Sequence, residues 1–398
     1  MQRILKYLEG DKVMWILTLF LSIVSIITVF SFIPVLVNTE GGSPIKYMFK
    51  HIFYLILGLF AMYQIHRIDP KYFIKLSKFG FYLAIALLIF TFFFGVRVND
   101  AGRWLKIPFL PFTFQTSDFA KVALVLYLSN ILAVKKSKIK DFKEGFWPAM
   151  GPVLLTVVLI LRDNFSTAAM LFVICIAIMF LAGALMKHIL AVVGVIIVAF
   201  SLLITIELNT DAGIFPRAHT WWNRMFSAQR NDSDNIAKTN PQVANAKKAI
   251  ASAPLLGKGP GNGELKYYIA EGYADFYFAL FIEEFGPILG MLIIMVYLIL
   301  FFRMIRIALK TEKLTESYLV IGLGMIFMFQ AIVNMGVCTG IFPVTGQNMP
   351  LLGMGGSSMV MTCVSLGIIQ SISRKYNPVE EESETNNIKT NDNELEVA

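Results

Sequence analysis

Runs of roughly 18 or more apolar residues recur along the whole chain, and each is long enough to cross a hydrocarbon core of about 30 Å as an α-helix. With 56% hydrophobic and only 16% charged residues in 398, the chain carries more apolar surface than a soluble domain can bury. The expected fold is therefore all-α, a polytopic membrane protein of about ten transmembrane helices. The spans fall near 14–37, 48–66, 79–95, 115–134, 147–162, 165–185, 188–208, 274–302, 317–338 and 356–373. The first run has the outline of a signal peptide, but it is long and lacks a small-residue cleavage site, so it reads as a retained helix.

Positive charge tests this set, because the short connections on the cytoplasmic side of a membrane are rich in Lys and Arg. Arg67, Lys71, Lys75 and Lys78, then Lys135 to Lys143, then Lys187, then Arg303 to Lys313, and last Arg374 and Lys375 fall on alternate connections. Both termini come out cytoplasmic. The connections of opposite parity, 38–47, 96–114, 163–164, 209–273 and 339–355, face outward and carry the unusual residues. A net charge of +8 spread over short clusters forms no basic stripe, which argues against nucleic acid as a partner.

The long 209–273 connection starts amphipathically at HTWWNRMF, passes through a polar stretch, and ends in a glycine-rich GKGPGNG at 257–263. Trp221 and Trp222 read as interfacial anchors or as substrate contacts. The glycine run lacks the Lys-Ser/Thr ending of a P-loop and reads as a flexible turn. Residues 374–398 form an acidic, polar cytoplasmic tail that cannot fold alone. The three cysteines, Cys175, Cys338 and Cys363, sit in or beside apolar runs without metal-ligand spacing, as small packing residues do.

Ionisable residues in or beside spans need a partner, water or a function. Asp118 and Lys121, three apart at the head of a span, suit an ion pair on one helix face. Asp163 lies between two spans and suits either a helix cap or a site. Glu283 and Glu284 are adjacent and cannot share a helix face, which argues against a catalytic carboxylate pair and for an internal cation partner. Asp275 enters the eighth span among Tyr273, Phe276 and Tyr277, where partial desolvation favours a general base. The 340–358 stretch, GIFPVTGQNMPLLGMGGSS, places irregular backbone between two spans, which requires burial in protein or a wet cavity.

Several of these segments together resemble the SEDS family (shape, elongation, division and sporulation) over nearly the whole chain. GRWLKIP…FTFQTSDFAKVALVLYLS at 102–129, RDNFSTA at 162–168, the stretch from AIASAPLLGKG to EEFGPILG, FQAIVNMG at 329–336 and TGQNMPLLGMGGSS are similar to that family's ordered motifs. Departures include Tyr273-Ala274 for His-Thr, Asp118 for Glu, Thr116 for Pro, and changes at Gln347-Asn348 and Gly353-Met354. The resemblance implies a peptidoglycan glycan polymerase that uses lipid II, the undecaprenyl-pyrophosphate-linked disaccharide pentapeptide, to extend a nascent glycan at the outer face of the bacterial cytoplasmic membrane. It makes Asp275 the base for the attacking sugar hydroxyl. Arg103, Lys106, Lys121 and Lys258 would stabilise the pyrophosphate, with a divalent cation a further option. Asp163, Gln330, Asn334, Ser357 and Ser358 would complete the substrate contacts. It also implies a class B penicillin-binding protein as partner within the divisome or elongasome, with the 257–277 stretch more like the division branch. A lipid II flippase or other transporter, or a recruiting scaffold, is the rival reading.

Overall fold

The computed structural model describes residues 9–98, 101–106, 113–210 and 240–376. Trp221, Trp222 and the acidic tail beyond residue 376 lie outside them. The helices in chain order are α1 (Lys12–Glu40), α2 (Pro44–His66), α3 (Pro70–Phe94), α4 (Thr116–Val134), α5 (Trp147–Leu161), α6 (Phe165–Leu181), α7 (Met186–Thr210), α8 (Pro241–Ala251), α9 (Gly272–Asp275), α10 (Tyr277–Lys310), α11 (Leu314–Thr339) and α12 (Gly356–Tyr376). Nine of the described helices are long and apolar enough to cross a membrane, and α6 is a shorter apolar tenth. The expectation of about ten spans and an all-α polytopic membrane protein therefore holds.

Helix starts follow local chemistry. Asp11 accepts a hydrogen bond from the Met14 amide at 3.0 Å, and Asp69 accepts one from Lys71 at 2.9 Å ahead of Pro70, each a side-chain cap at a helix entrance. The Asp69–Pro70 start places nine residues ahead of the expected 79–95 span into α3, so Lys71, Lys75 and Lys78 ride on the helix itself. A long stem lets such lysines keep their charge in water beside apolar surface.

Three departures concern the opposite end of the bundle. The 96–114 connection contains a three-stranded antiparallel sheet, β1 (Val96–Val98), β2 (Ala101–Lys106) and β3 (Thr113–Gln115), with Trp104 opposite Gln115. The long connection contains α8, which buries Val243, Ala246 and Ala249. The eighth span begins at Tyr277 and not at 274, so Asp275 does not enter it but closes the separate one-turn helix α9.

The core runs along α4, α6, α11 and α12. Leu124, Leu128 and Leu132 recur at helical spacing on α4, and Leu171, Ile174, Cys175 and Ile178 on α6, all fully buried. Helix α7 has the opposite pattern: Leu190, Val195, Val198 and Leu202 all face outward, as side chains in contact with lipid do. Ion pairs lash together the end that holds the first and last described residues. Arg303 meets Asp11 at 2.6 Å, Arg374 meets Glu9 at 3.2 Å and Lys375 meets Glu316 at 2.7 Å. The other end is built from loops, and the candidate site lies there.

Candidate functional site

The sequence EEFGP at 283–287 breaks α10. Pro287 has no amide hydrogen for the Glu283 carbonyl, and Gly286 leaves helical geometry at φ 83° and ψ 161°. The freed carbonyls of Glu283 and Glu284 accept instead from the amides of Lys258 and Gly259, at 3.0 and 2.9 Å. A Cβ on Gly257 would lie 2.2 Å from the Glu284 oxygen, and one on Gly286 would lie 2.3 Å from the Leu255 oxygen. The glycine-rich run, expected to be a flexible turn, is thus docked into a helix kink with no room for a side chain at Gly257 or Gly286.

Two ion pairs complete this clamp. Glu283 is fully buried and takes Lys258 Nζ at 2.8 Å and the Glu264 amide at 3.0 Å. Glu284 takes Lys266 Nζ at 2.8 Å, with each side chain only 1% exposed, and it also accepts from the Ser31 hydroxyl and the Gly261 amide. The hydrogen bond from Lys258 to Glu283 raises the lysine pKa above its ordinary value. Both glutamates therefore have cations.

Asp275 stands at the crest of the segment between these clamped ends. Its helix begins after Glu271, whose φ of 53° is left-handed, and the amides of Ala274 and Asp275 bond to the Glu271 carbonyl at 2.9 and 3.0 Å. The Asp275 side chain is partly buried. Asn334, fully buried on α11, donates to the carbonyls of Ala274 (3.1 Å), Asp275 (3.2 Å) and Gln347 (2.9 Å), and accepts from the Phe278 amide at 3.4 Å. Its amide thus holds backbone on both sides of the carboxylate. Gln347 in turn donates to Thr167 at 2.6 Å, which ties the irregular 340–355 stretch to the start of α6.

Beside this crest lies a cavity of about 140 Å³ lined by Tyr47, Lys50, His51, Tyr54, Tyr273 and Gly355 among others. The Met354 amide bonds to the Tyr273 carbonyl at 3.3 Å, so the cavity wall and the Asp275 turn are joined directly. Lys50 is an exposed cation on this wall with no carboxylate partner among the described residues. Next to it on α2, His51 Nε2 lies 3.0 Å from Ser25 Oγ, which donates to the Leu352 carbonyl at 3.1 Å.

A second, smaller cavity of about 20 Å³ brings together Asp118, Lys121, Gln330 and Ser358, with room for about one water. Lys121 pairs with Asp118 at 2.8 Å, and both are nearly fully buried; the second Asp118 carboxylate oxygen has no hydrogen-bond partner among the described residues. Gln330 and Asn334 are four apart on α11 and share a face. The Lys121 cavity and the Asp275 support therefore lie about one helical turn, roughly 5 to 6 Å, apart along that helix.

The remaining expected residues are not among those lining either cavity. Ser357 accepts from the Gln115 amide at 3.1 Å, joining α12 to β3. Asp163 lies in the turn before α6, but the cap there is Asn164, whose side chain accepts from Thr167 at 3.2 Å. Arg103 and Lys106 lie on β2, and their side chains are outside the described residues. Lys50, His51 and Lys266 were not anticipated. For Lys266 the sequence offered one signal, two adjacent glutamates in an apolar run that both need cations; for Lys50 and His51 it offered none. No group of three or more His, Cys, Asp or Glu side chains that could hold a metal occurs among the described residues. This donor set does not fit a protein-held divalent cation.

A bundle of apolar helices whose irregular end cradles one partly buried carboxylate beside a cation-rimmed cavity defines a polytopic membrane protein with a site at the end of its spans. The family profile described as "Cell cycle protein", covering FtsW, RodA and SpoVE, matches residues 11–377, and the chain belongs to that family. It is 29% identical over 373 residues to stage V sporulation protein E of Bacillus subtilis, covering 93% of this chain and 98% of that protein. It is 28% identical over 369 residues to a probable peptidoglycan glycosyltransferase FtsW of Geobacter metallireducens, covering 92% and 95%. Its fold is similar to the crystal structure of the Thermus thermophilus rod shape determining protein RodA, with TM-score 0.66 and 21% identity over 92% of this chain and 98% of that one. A chain from a peptidoglycan synthase complex that coordinates polymerization and crosslinking gives TM-score 0.69 at 20% identity, covering 93% and 99%.

Proposed function

We propose that this protein polymerises peptidoglycan glycan strands from lipid II, with Asp275 as general base. The observation that carries this reading is the Asp275 crest: one carboxylate, partly buried, fixed through its own backbone by Asn334 and clamped at both ends of its segment. A general base needs such fixing, because proton abstraction requires an approach of about 2.6–3.2 Å to the donor hydroxyl. Deprotonation of the acceptor sugar hydroxyl forms the new glycosidic bond as the bond to the lipid pyrophosphate breaks. The pyrophosphate takes the electron pair, and its charge needs nearby cations in a site of restricted water.

Lys121 and Lys258 were expected in that role, and each already faces a carboxylate. Lys50, on the wall of the larger cavity and without such a partner among the described residues, is better suited to meet the pyrophosphate. The basic connections gathered at the other end of the bundle support cytoplasmic termini in the bacterial inner membrane, so the Asp275 end faces outward, where glycan is built. The names of the FtsW relatives and the resemblance of the 257–277 stretch support a role in septal synthesis, alongside a class B penicillin-binding protein. An elongation-type polymerase is the neighbouring reading.

The test is lipid II polymerisation by the purified protein, with and without a cognate class B penicillin-binding protein, comparing wild type with Asp275→Asn. The wild type makes glycan strands, and the variant binds lipid II yet polymerises about 10²–10⁴-fold more slowly, the usual range for a lost acid–base group. Equal polymerisation by both overturns the assignment of Asp275. Absence of polymer from the wild type even with partner turns the reading to a transporter or scaffold.

A further inference from the structure

Asp275 lies between two points of the chain, residues 266 and 284, that meet inside the protein. From Lys266 the chain passes through the 3-10 turn Leu265–Tyr268, the buried Ile269, the left-handed Glu271 and the single turn α9, then runs down α10 to Glu284. A helix of one turn has too few internal bonds to hold its own geometry, and a left-handed non-glycine residue persists only where its surroundings impose it. Whatever fixes the Asp275 carboxylate must therefore come from outside the turn.

Lys266 Nζ is within hydrogen-bonding distance of four oxygens: Glu284 Oε1 and Gly261 O at 2.8 Å, Ser31 O at 3.0 Å and Ser31 Oγ at 3.3 Å. An ammonium has three protons, so this one is fully supplied. Its partners belong to three separate pieces of chain, helix α1, the glycine-rich loop and α10, all joined at one buried point. Replacing a buried pair of this kind with apolar residues is often neutral for stability, so stability alone gives little reason for a lysine here. Geometry gives one, because the pair fixes the separation of the two strands of chain that lead up to Asp275.

We infer that Lys266, through its buried pair with Glu284, is a positioning residue for Asp275 and closes the base of the segment that presents the carboxylate. The inference rests on the reading of Asp275 as the general base. Lys266 does not touch substrate in this scheme; it sets where the carboxylate stands, as Asn334 does from α11. A displacement of about 1 Å at a reacting group is enough to lower turnover by about 10²-fold.

The test removes both charges together, Lys266→Met with Glu284→Met, so that no lone ion is left buried, and compares this protein with Lys266→Arg and with wild type. Two readouts are taken on the full-length protein: kcat and KM for lipid II polymerisation, and hydrogen–deuterium exchange across residues 267–278. The double variant is expected to lose about 10²-fold in kcat with KM little changed, and to exchange faster at 267–278 while α4 and α6 stay protected. Lys266→Arg, which keeps the charge, is expected to retain most of the activity and the slow exchange. Wild-type kcat in the double variant, unchanged exchange at 267–278, or a uniform loss of protection across the bundle overturns the inference. If wild type itself makes no polymer, the polymerase reading fails, and the exchange pattern still decides whether Lys266 fixes this segment.

Discussion

The two ends of the helix bundle both use ion pairs, but they use them differently. At the end holding the described termini, Asp11–Arg303, Glu9–Arg374 and Glu316–Lys375 join one helix end to another, and each basic partner is a quarter to a third exposed (27%, 31% and 33%). At the Asp275 end, Glu284–Lys266 is buried on both sides and Glu283–Lys258 on one, and both pairs hold loop backbone against a broken helix. Exposed partners can turn to water when a pair is broken; buried ones cannot. Pairs with a partly exposed cation, Glu283–Lys258 at 24% among them, tolerate loss, whereas Glu284–Lys266 has no member that can turn to water. The contrast separates a structural end from one where a single carboxylate must be aimed.

Single substitutions can break this comparison most sharply at Glu284. Glu284→Gln leaves Lys266 charged and sealed from solvent, and breaking a buried pair in this way costs about 3–5 kcal/mol. The expected outcome is a large fall in melting temperature in detergent, together with loss of polymerisation. Asn334→Ala comes next. It strips the donor from the carbonyls of Ala274, Asp275 and Gln347; only the bond to Gln347 is fully buried, where an unsatisfied group costs about 1–3 kcal/mol, while the two partly buried carbonyls can turn to water. Its stability loss should be smaller than that of Glu284→Gln while its loss of turnover is comparable, because it loosens the Asp275 turn directly. An Asn334→Ala protein with wild-type turnover would break the link between that side chain and the carboxylate.

How far the sequence foretold each end follows from the same physics. The spans were legible because burial in lipid demands long apolar runs, and the basic connections marked one side. The span boundaries near 70 and 277 were missed for local reasons: Asp69–Pro70 starts a helix earlier than hydropathy does, and Phe276 separates α9 from α10 without interrupting the apolar run. The Asp118–Lys121 pair was readable from its spacing on one helix. Lys266–Glu284 was not, because its partners come from an irregular loop and a kinked span, and loop docking leaves no periodicity. The sheet at 96–115 was hidden similarly, by strands of three to six residues in a segment that reads as amphipathic. The resemblance to the SEDS family supplied Asp275 as the base, which residue chemistry alone only suggested.

A smaller effect sharpens the comparison from the alkaline side. The Glu283 hydrogen bond holds the Lys258 pKa above its ordinary value, with desolvation opposing it and the Glu283 and Glu264 charges adding to the rise. A lysine raised in the folded state contributes stability that is fully present below its unfolded pKa of about 10.4 and is lost as pH rises through the folded value. Anchoring of the 257–266 loop by Lys258 should therefore be constant from pH 6 to about 9. Protease sensitivity of that loop should rise only in more alkaline buffer, and Lys258→Met should abolish the rise. Loosening of the loop near neutral pH would show that another group governs it.

The least effect is expected at Glu316. Its side chain is as buried as that of Glu284, yet one carboxylate oxygen has no hydrogen-bond partner among the described residues, and Lys375, which meets the other at 2.7 Å, is 33% exposed. In Glu316→Gln the lysine can turn to water, and the mutation also removes the burden of holding a half-satisfied carboxylate away from solvent. These two terms oppose each other, so the change in stability should be within about 1 kcal/mol, as for exposed pairs, with polymerisation unaffected. Burial of the carboxylate alone would predict equal damage from Glu284→Gln and Glu316→Gln. If melting temperatures fall equally, the exposure of the cation is not what distinguishes the two ends; if only Glu284→Gln falls, the partner's access to water decides what a buried carboxylate is worth.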